Sequence, residues 1–190
     1  MRADAYRNHE RILVATRQLL EEKGFLTQMD DVAERAGVGV GTLYRHFATK
    51  DALFGELVKQ TFEGFQVGMQ AALDQARAGR DPFEALSDAL VRNSELAAAD
   101  RGVQDALLAA NSQMIAVAQP TIDELLELTS EVIELARAAG SIRADAHVGD
   151  IPMIMAGVSS TQNPLIASYH PEGWRRHLQI AIDGLRPLNR

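Results

Sequence analysis

Residues 30–54, DDVAERAGVGVGTLYRHFATKDALF, carry the clearest structural signal in this 190-residue chain. Their apolar side chains recur at helical spacing on both sides of a run in which glycine and valine alternate. The spacing predicts one short helix that ends at Gly37, a second over Val40–Phe47, and a longer helix that opens near Thr49. Two short helices joined by a tight glycine turn, with a third helix packed across them, are typical of the helix-turn-helix arrangement.

The residues before this stretch predict a longer helix over Tyr6–Lys23, which ends at Gly24. Glycine can adopt the left-handed conformation that commonly closes a helix. Thr27 stands before the first short helix, and Asp30 follows three residues later, which approximates a capping box. We therefore expect Thr27 to be the N-cap of that helix.

The rest of the chain shows helical patterns and no alternating strand pattern. Thr49 and the pair Asp81-Pro82 are helix start signals. Further helices are predicted over Val103–Ser112, from Pro120 to Gly140, over His147–Thr161 and over Pro171–Leu185. The expected fold is therefore all-α, with an N-terminal three-helix helix-turn-helix domain over residues 1–49 and a C-terminal helical bundle over residues 50–190.

The composition narrows the class of protein. Hydrophobic residues make up 46% of the chain and charged residues 24%, as in ordinary soluble globular proteins. There is no cysteine, so a disulfide framework and a thiolate metal site are both excluded. No apolar stretch approaches ~18 residues, so we expect no membrane span, no signal peptide and a cytoplasmic location.

The formal net charge of −7 is unevenly distributed along the chain. Residues 1–59 contain nine basic and nine acidic residues, whereas the remainder contains ten basic and seventeen acidic residues. This asymmetry fits a small N-terminal part that faces a polyanion, followed by a larger acidic part. It carries little weight alone, because many proteins are this uneven.

The second short helix presents polar side chains beside its apolar set. Thr42, Tyr44, Arg45 and His46 can each donate a hydrogen bond to a phosphate oxygen, and Arg45 can also bind O6 and N7 of guanine. Glycines at 39 and 41 leave the backbone amides at the start of this helix unobstructed. These residues predict a helix that contacts DNA.

The whole stretch closely resembles the N-terminal domain of the tetracycline-repressor (TetR) family of bacterial regulators, from about Ile12 to Leu57. The elements Ala-Gly-Val, Gly-Thr-Leu-Tyr and His-Phe make the resemblance specific. It implies that the residues facing bases are Val40, Gly41, Thr42 and Arg45. It implies that Thr27, Tyr44, His46 and Lys50 hold phosphates, with Gln28 near the groove. The family often has Ser at position 39 and a polar or basic residue at position 40, whereas this chain has Gly39 and Val40. Direct readout of the bases would therefore depend mainly on Arg45.

The C-terminal part resembles the ligand-sensing domain of a TetR subgroup, from Ile142-Arg143-Ala144-Asp145 onward. This resemblance implies a ligand-binding and dimerisation domain, a homodimer on a palindromic operator in double-stranded DNA, and a pocket for an unknown small-molecule effector. Mostly apolar walls with a few amides suit a small organic ligand. The candidate pocket residues are Phe62, Phe65, Met69, Asn93, Asn111 and Met114.

Two predicted C-terminal helices are candidates for the dimer interface. The helix over His147–Thr161 is apolar around most of its circumference, so it needs cover on more than one side. The last helix carries one apolar stripe. The alternative is that these residues are the core of a monomeric bundle. The candidate interface residues are Met153, Met155, Val158, Trp174, Leu178, Ile182 and Leu185.

Other classes of site are weakly supported. The glycine-valine run follows no strand and lacks the spacing of a phosphate-binding loop. The five histidines never fall at metal-ligand spacing, so we expect no metal and no cofactor. The function expected is that of a transcriptional regulator, a repressor released by its ligand, and not of an enzyme. Two alternatives stay open: a DNA-binding architectural protein without a pocket, and an enzyme or carrier built on an all-α bundle.

Overall fold

The computed structural model describes residues 2–100, 102, 106–107, 110–161, 164–170 and 172–187. All regular structure within these ranges is helical, which confirms the predicted all-α fold. The helices are α1 (Arg2–Lys23), a 3₁₀ turn (Gly24–Leu26), α2 (Met29–Ala36), α3 (Val40–His46), α4 (Lys50–Arg77), α5 (Pro82–Ala99), α6 (Ser112–Ala139), α7 (Asp150–Ser160), α8 (Pro164–Ala167) and α9 (Gly173–Asp183). None of the described helices is long and apolar enough to cross a membrane.

The chain forms two compact units, and neither is continuous in sequence. The first contains residues 1–61 and 100–120, and the second contains residues 62–99 and 121–190. Helices α4 and α6 each begin in the first unit and end in the second. The domain boundary predicted between residues 49 and 50 stays a prediction.

The first unit is built around α1 and the two short helices. Ile12 and Leu43 are fully buried in its core, because α1 packs against α2 and α2 against α3. Gly102 and Val117, from the second segment of this unit, pack closely on residues of the first segment. A Cβ at Gly102 would lie 2.9 Å from Cβ of Leu20, and a Cβ at Gly55 would lie 2.9 Å from Cβ of Val117. These separations are shorter than real Cβ contacts, so glycine is needed at both positions.

The second unit has its own apolar core, formed by the end of α4, most of α6, and α5, α7 and α9. Apolar side chains on one face of each helix remove enough surface from water to hold a bundle of this kind together. The most deeply buried members are Met69, Leu73, Phe83, Ala85, Leu86, Val132, Ala136, Val158 and Leu178.

Several predicted helix ends are confirmed by local hydrogen bonds. Thr49 caps α4, since its Oγ1 accepts a bond of 3.0 Å from the amide of Ala52. Asp81 caps α5 in the same manner, accepting from the amides of Phe83 and Glu84 at 2.9 and 3.0 Å. Glycines 24, 37, 79 and 140 all have positive φ, which is the conformation expected where a helix stops.

Other predicted boundaries are wrong. Helix α1 begins at Arg2, not Tyr6. Residue 28, not Thr27, precedes the first residue of α2, and its backbone amide donates to Asp31 Oδ2 at 3.3 Å. Pro120 lies inside α6; its ring removes one helical hydrogen bond, but the helix continues.

The C-terminal helices are also shorter than expected. Helix α7 begins at Asp150 and α9 ends at Asp183, and the short α8 between them was not predicted. Pro171, the expected start of the last helix, and half of the helix predicted over Val103–Ser112 lie outside the described residues.

Candidate functional site

The turn between α2 and α3 is fixed by backbone geometry and by one side chain of α1. Gly37 has a φ of +61° and donates to the carbonyl of Glu34 at 3.0 Å. Val38 donates to the carbonyl of Ala33 at 3.0 Å. Arg11 Nη2 donates to the carbonyl oxygen of Gly37 at 3.2 Å. Sequence reasoning missed Arg11, because the two residues are 26 positions apart and no local pattern joins them.

Helix α3 has one buried face and one exposed face. Leu43 is fully buried, and Phe47, just after the helix, is 5% exposed. On the other face Val40 is 44% and Tyr44 48% exposed, and Arg45 is exposed as well. The helix is thus anchored by its apolar face, and a mixed apolar and polar surface remains open to a ligand.

The beginning of α3 leaves backbone amides available. The first intrahelical bond is donated by Thr42 to the carbonyl of Gly39 at 2.8 Å, so the amides of Val40 and Gly41 precede the helical ladder. A Cβ at Gly41 would meet no neighbouring heavy atom within 4 Å. This part of α3 can therefore approach another molecule closely.

Arg45 folds back along α3. Its Nε donates to the carbonyl of Gly41 at 3.0 Å, and its Nη2 donates to Thr42 Oγ1 at 3.1 Å. Three of the four residues predicted to face bases, Gly41, Thr42 and Arg45, are thereby brought into one cluster.

The predicted phosphate contacts differ in accessibility. Lys50 Nζ donates to the carbonyl of Phe25 at 2.6 Å and lies 5.2 Å from the centre of the Phe54 ring. Two of its three N–H groups are not used by that bond. His46 is half-buried, and its ring centre lies 5.9 Å from that of His9.

Thr27 lies in the interior of the first unit, with only 1% of its surface exposed. Its hydroxyl is placed against the carbonyls of Leu19 and Gly24, at 3.1 and 2.8 Å. This corrects the prediction of a phosphate contact through that side chain, because the hydroxyl is already hydrogen-bonded to carbonyl groups at the end of α1. Gln28 is exposed, and its Nε2 donates to the carbonyl of Leu26 at 3.0 Å.

Two ion pairs join α1 to α2. Arg35 binds both carboxylate oxygens of Glu22 at 2.9 and 2.8 Å, and this hydrogen bonding lowers the pKa of Glu22. Lys23 lies 3.2 Å from Asp31 and lowers the pKa of that carboxyl, together with the backbone bond from Gln28. The pairs are exposed, so water screens them and each contributes little.

The predicted pocket residues fall in both units. Phe62, Phe65, Met69 and Asn93 belong to the second. The rings of Phe62 and Phe65 meet edge to face at 5.6 Å, and Met69 is 1% exposed.

Asn111 and Met114 belong to the first unit. The prediction for Asn111 needs correction. Its side chain is exposed, and its Oδ1 accepts bonds of 3.0 Å from the amides of Gln113 and Met114. It therefore caps α6. Met114 is 1% exposed.

Asn93 is the unusual member of the predicted pocket set. It is 4% exposed, and its Nδ2 donates to the carbonyl of Phe65 at 3.3 Å. Its Oδ1 has no hydrogen-bond partner among the described residues. A Cβ at Gly68 would lie 2.7 Å from this oxygen, so glycine makes room for it. A buried acceptor without a donor costs free energy.

The predicted dimer residues lie mainly in the core of the second unit. Val158, Leu178, Ile182 and Leu185 are between 1% and 5% exposed, and Met155 and Trp174 pack partly buried against the same core. The apolar stripe of α9 therefore faces its own chain, which corrects the prediction that it faces a partner. Met153 on α7 is 76% exposed. Ile180 on α9 is 60% exposed, and it was not among the predicted interface residues.

A cleft of about 450 Å³ lies in the second unit beside α7 and α9. Arg143 and Asp145 form a two-bond ion pair there, at 2.6 and 2.9 Å. The residues lining it are Arg143, Asp145, Asp150, Met153, Ile154, Ala181, Gly184 and Leu185. Within the described ranges no three His, Asp or Glu side chains are grouped so as to hold a metal ion.

Two family models match the chain. Residues 12–57 match the model for bacterial regulatory proteins of the tetR family. Residues 81–187 match the model for the C-terminal domain of SbtR-like transcriptional regulators. The two matches fall on the helix-turn-helix stretch and on most of the remaining helices.

Individual relatives agree with the family models. The TetR transcription regulatory protein of Mycobacterium vanbaalenii is 31% identical, with 97% of this chain and 98% of that chain covered and a TM-score of 0.62. An HTH-type transcriptional regulator of Staphylococcus aureus is 29% identical over 93 residues, or 48% of this chain. The match spans 50% of that curated relative, about half its length.

A more distant structure shares the fold. The SmeT–triclosan complex is 22% identical, with 93% of this chain and 88% of that chain covered and a TM-score of 0.66. The family models together match well over half of the chain, and the Mycobacterium structure matches nearly all of it. On these grounds the chain belongs to the tetR family of bacterial regulatory proteins.

Proposed function

We propose that this protein is a transcriptional repressor that binds a palindromic DNA operator and is released from it by a small-molecule ligand. The observation that carries the proposal is the exposed face of α3, held rigidly by its buried Leu43 and by the turn at Gly37. A short helix anchored in this way can enter the major groove, which is wide enough to admit it.

The DNA contacts divide into two kinds. Val40, Gly41, Thr42 and Arg45 face base edges, where Arg45 can bind a guanine and Val40 can contact a thymine methyl group. Tyr44, His46 and Lys50 contact phosphates, with Gln28 near the groove edge, and these contacts fix position without reading sequence.

The DNA proposal is tested with the purified full-length protein and a pool of randomised duplexes. Bound duplexes are separated and sequenced, and the Arg45→Ala variant is treated in parallel. We expect the wild-type protein to enrich one palindromic motif, and the variant to fold normally but lose one base preference in each half-site. Enrichment of no motif by the wild-type protein would refute sequence-specific binding.

The ligand-binding part of the proposal is supported by Asn93. Its buried Oδ1 lacks a donor, and a ligand that carries an O–H or N–H group would supply one. Phe62, Phe65 and Met69 supply apolar surface in the same unit. The SmeT–triclosan complex, a structure that shares this fold, is a precedent for a complex with a small molecule.

The ligand proposal is tested by thermal unfolding with a panel of small apolar molecules that carry one hydrogen-bond donor, triclosan among them. A ligand at 100 times its Kd adds about 2.7 kcal/mol of stability, which raises the Tm of a chain this long by roughly 5–10 °C. Asn93→Leu should fold but lose that increase, and the active compound should release wild-type protein from DNA. If no compound with a donor stabilises the wild-type protein, the Asn93 assignment fails.

The dimer is proposed to form on the outer faces of α7 and α9. Met153 and Ile180 are exposed there, and apolar side chains at such exposure are favourable at an interface. A two-fold dimer doubles the base contacts and places two half-sites about one helical turn, or a multiple of it, apart.

Sedimentation of the purified protein tests this interface. The wild-type protein should sediment as a dimer of 20.7 kDa chains, and the double variant Met153→Arg with Ile180→Arg should sediment as a monomer. Val67→Arg, which changes an apolar residue of α4 that is 59% exposed, is the matched control and should stay dimeric. A dimeric double variant would place the interface elsewhere.

A further inference from the structure

Arg45 reaches the middle of the exposed surface of α3 although it is the second-last residue of that helix. Its two hydrogen bonds run back to residues three and four positions earlier, Thr42 and Gly41. The guanidinium group therefore lies beside the first turn of α3. In helix-turn-helix proteins the N-terminal residues of the recognition helix contact base edges, so this is the place where a base-reading group is useful.

The two bonds use one edge of the guanidinium group and leave the other edge available. A guanidinium has five N–H groups in a fixed plane. Nε and one N–H of Nη2 are occupied by Gly41 and Thr42. Two N–H groups of Nη1 and one of Nη2 remain, and this pair of nitrogens is a fork that can bind O6 and N7 of guanine together.

The partners of Arg45 are neutral, as is the carbonyl partner of Arg11, whereas several other arginines of the chain are paired with carboxylates. Arg35 and Arg143, for example, are paired with carboxylates. A carboxylate partner would offset the positive charge and would repel the negatively charged DNA. The Thr42 hydroxyl and the Gly41 carbonyl orient the group without removing its charge.

We propose that Thr42 is a positioning residue, and that its hydroxyl orients Arg45 so that Arg45 prefers guanine at one position of each half-site. The inference rests on the proposed function, because it needs α3 to read DNA. A long arginine side chain that is already ordered loses less conformational entropy when it binds a base. The hydroxyl of Thr42 keeps its own proton, which it can donate to the DNA at the same time.

The inference is tested by a double-mutant cycle on base preference, using the full-length protein and a randomised duplex pool. The variants are Thr42→Val, which keeps the shape but removes the hydroxyl, Thr42→Ser, which keeps the hydroxyl, Arg45→Ala, and Thr42→Val combined with Arg45→Ala. The measured quantity is the frequency of each base at each position among bound duplexes, divided by its frequency among unbound duplexes. Unfolding midpoints of all variants show whether each protein is folded.

Arg45→Ala should reduce one guanine preference by roughly 5- to 150-fold, as expected for one bidentate contact. Thr42→Val should reduce the preference for guanine at that same position several-fold, whereas Thr42→Ser should retain it. In the double variant, Thr42→Val should cause no further change at that position beyond the effect of Arg45→Ala. If Thr42→Val lowers binding to all sequences equally, or alters only a different position, Thr42 does not position Arg45. If Arg45→Ala alters no base preference at all, the proposed readout itself fails.

Discussion

A methyl group at Gly41 should have opposite effects on two quantities, the stability of the free protein and its affinity for DNA. A Cβ at Gly41 meets no neighbouring heavy atom within 4 Å, and the backbone is not left-handed. Alanine in a helix is more stable than glycine by about 0.5–1 kcal/mol, so Gly41→Ala should leave the free protein unchanged or slightly stabilised. In the proposed complex with DNA, the methyl group would occupy the space of the base edges. Overpacking costs about 1–3 kcal/mol, which is a loss of roughly 5- to 150-fold in affinity.

The assay combines urea unfolding of the free protein with DNA binding by the same preparation. Gly64→Ala is the matched control, because Gly64 is also helical and a Cβ there also meets no neighbouring atom. We expect the control to keep full DNA affinity. Stable Gly41→Ala protein that binds DNA as tightly as wild type would show that α3 does not approach DNA at this residue, and the proposed docking would be refuted.

Three further perturbations test other parts of the first unit. Lys50→Ala should weaken binding to every DNA sequence and reduce the slope of log affinity against log salt by about one; an unchanged slope would mean no phosphate contact. Gly37→Ala should lower the free energy of unfolding by about 1–2 kcal/mol, because φ is +61° there and left-handed backbone disfavours a Cβ; Gly37→Asn should lose less. Arg35 lowers the pKa of Glu22 below its ordinary 4.5, so the pair stabilises the fold above about pH 4.5 and the effect is lost as pH falls further. In urea unfolding, Glu22→Gln should therefore be less stable than wild type at pH 7, and the difference should shrink as the pH falls below 4.5; a difference that does not shrink would contradict this.

The features that the sequence predicted well depend on chemistry between near neighbours. Gly37 must stop a helix because only glycine readily takes its conformation, and Thr49 and Asp81 cap helices through side chains that reach only two or three residues. The same local chemistry explains why the two short helices and the exposed position of Arg45 were predicted correctly.

The features that the sequence predicted poorly depend on distant parts of the chain. An apolar stripe such as that of Leu178 and Ile182 shows only that one helix face is covered, and the stripe is identical whether its own core or a partner covers it. Thr27 has the residue type of a helix cap and phosphate ligand, but the carbonyl of Leu19 uses its hydroxyl instead. Proline commonly occupies the first position of a helix, which is why Pro120 was predicted to start one. In the structure α6 extends on both sides of Pro120.

The discontinuity of the first unit limits how the protein can be divided. A fragment of residues 1–61 would contain α1, α2 and α3 but would lack residues 100–120. It would lose the surface that Gly102 presents to Leu20 and Val117 presents to Gly55, and Arg17 would lose its ion pair with Asp100. The unit that contains the helix-turn-helix therefore cannot be transferred to another protein through a single junction in the sequence. A functional chimera between two such regulators would have to transfer both segments together.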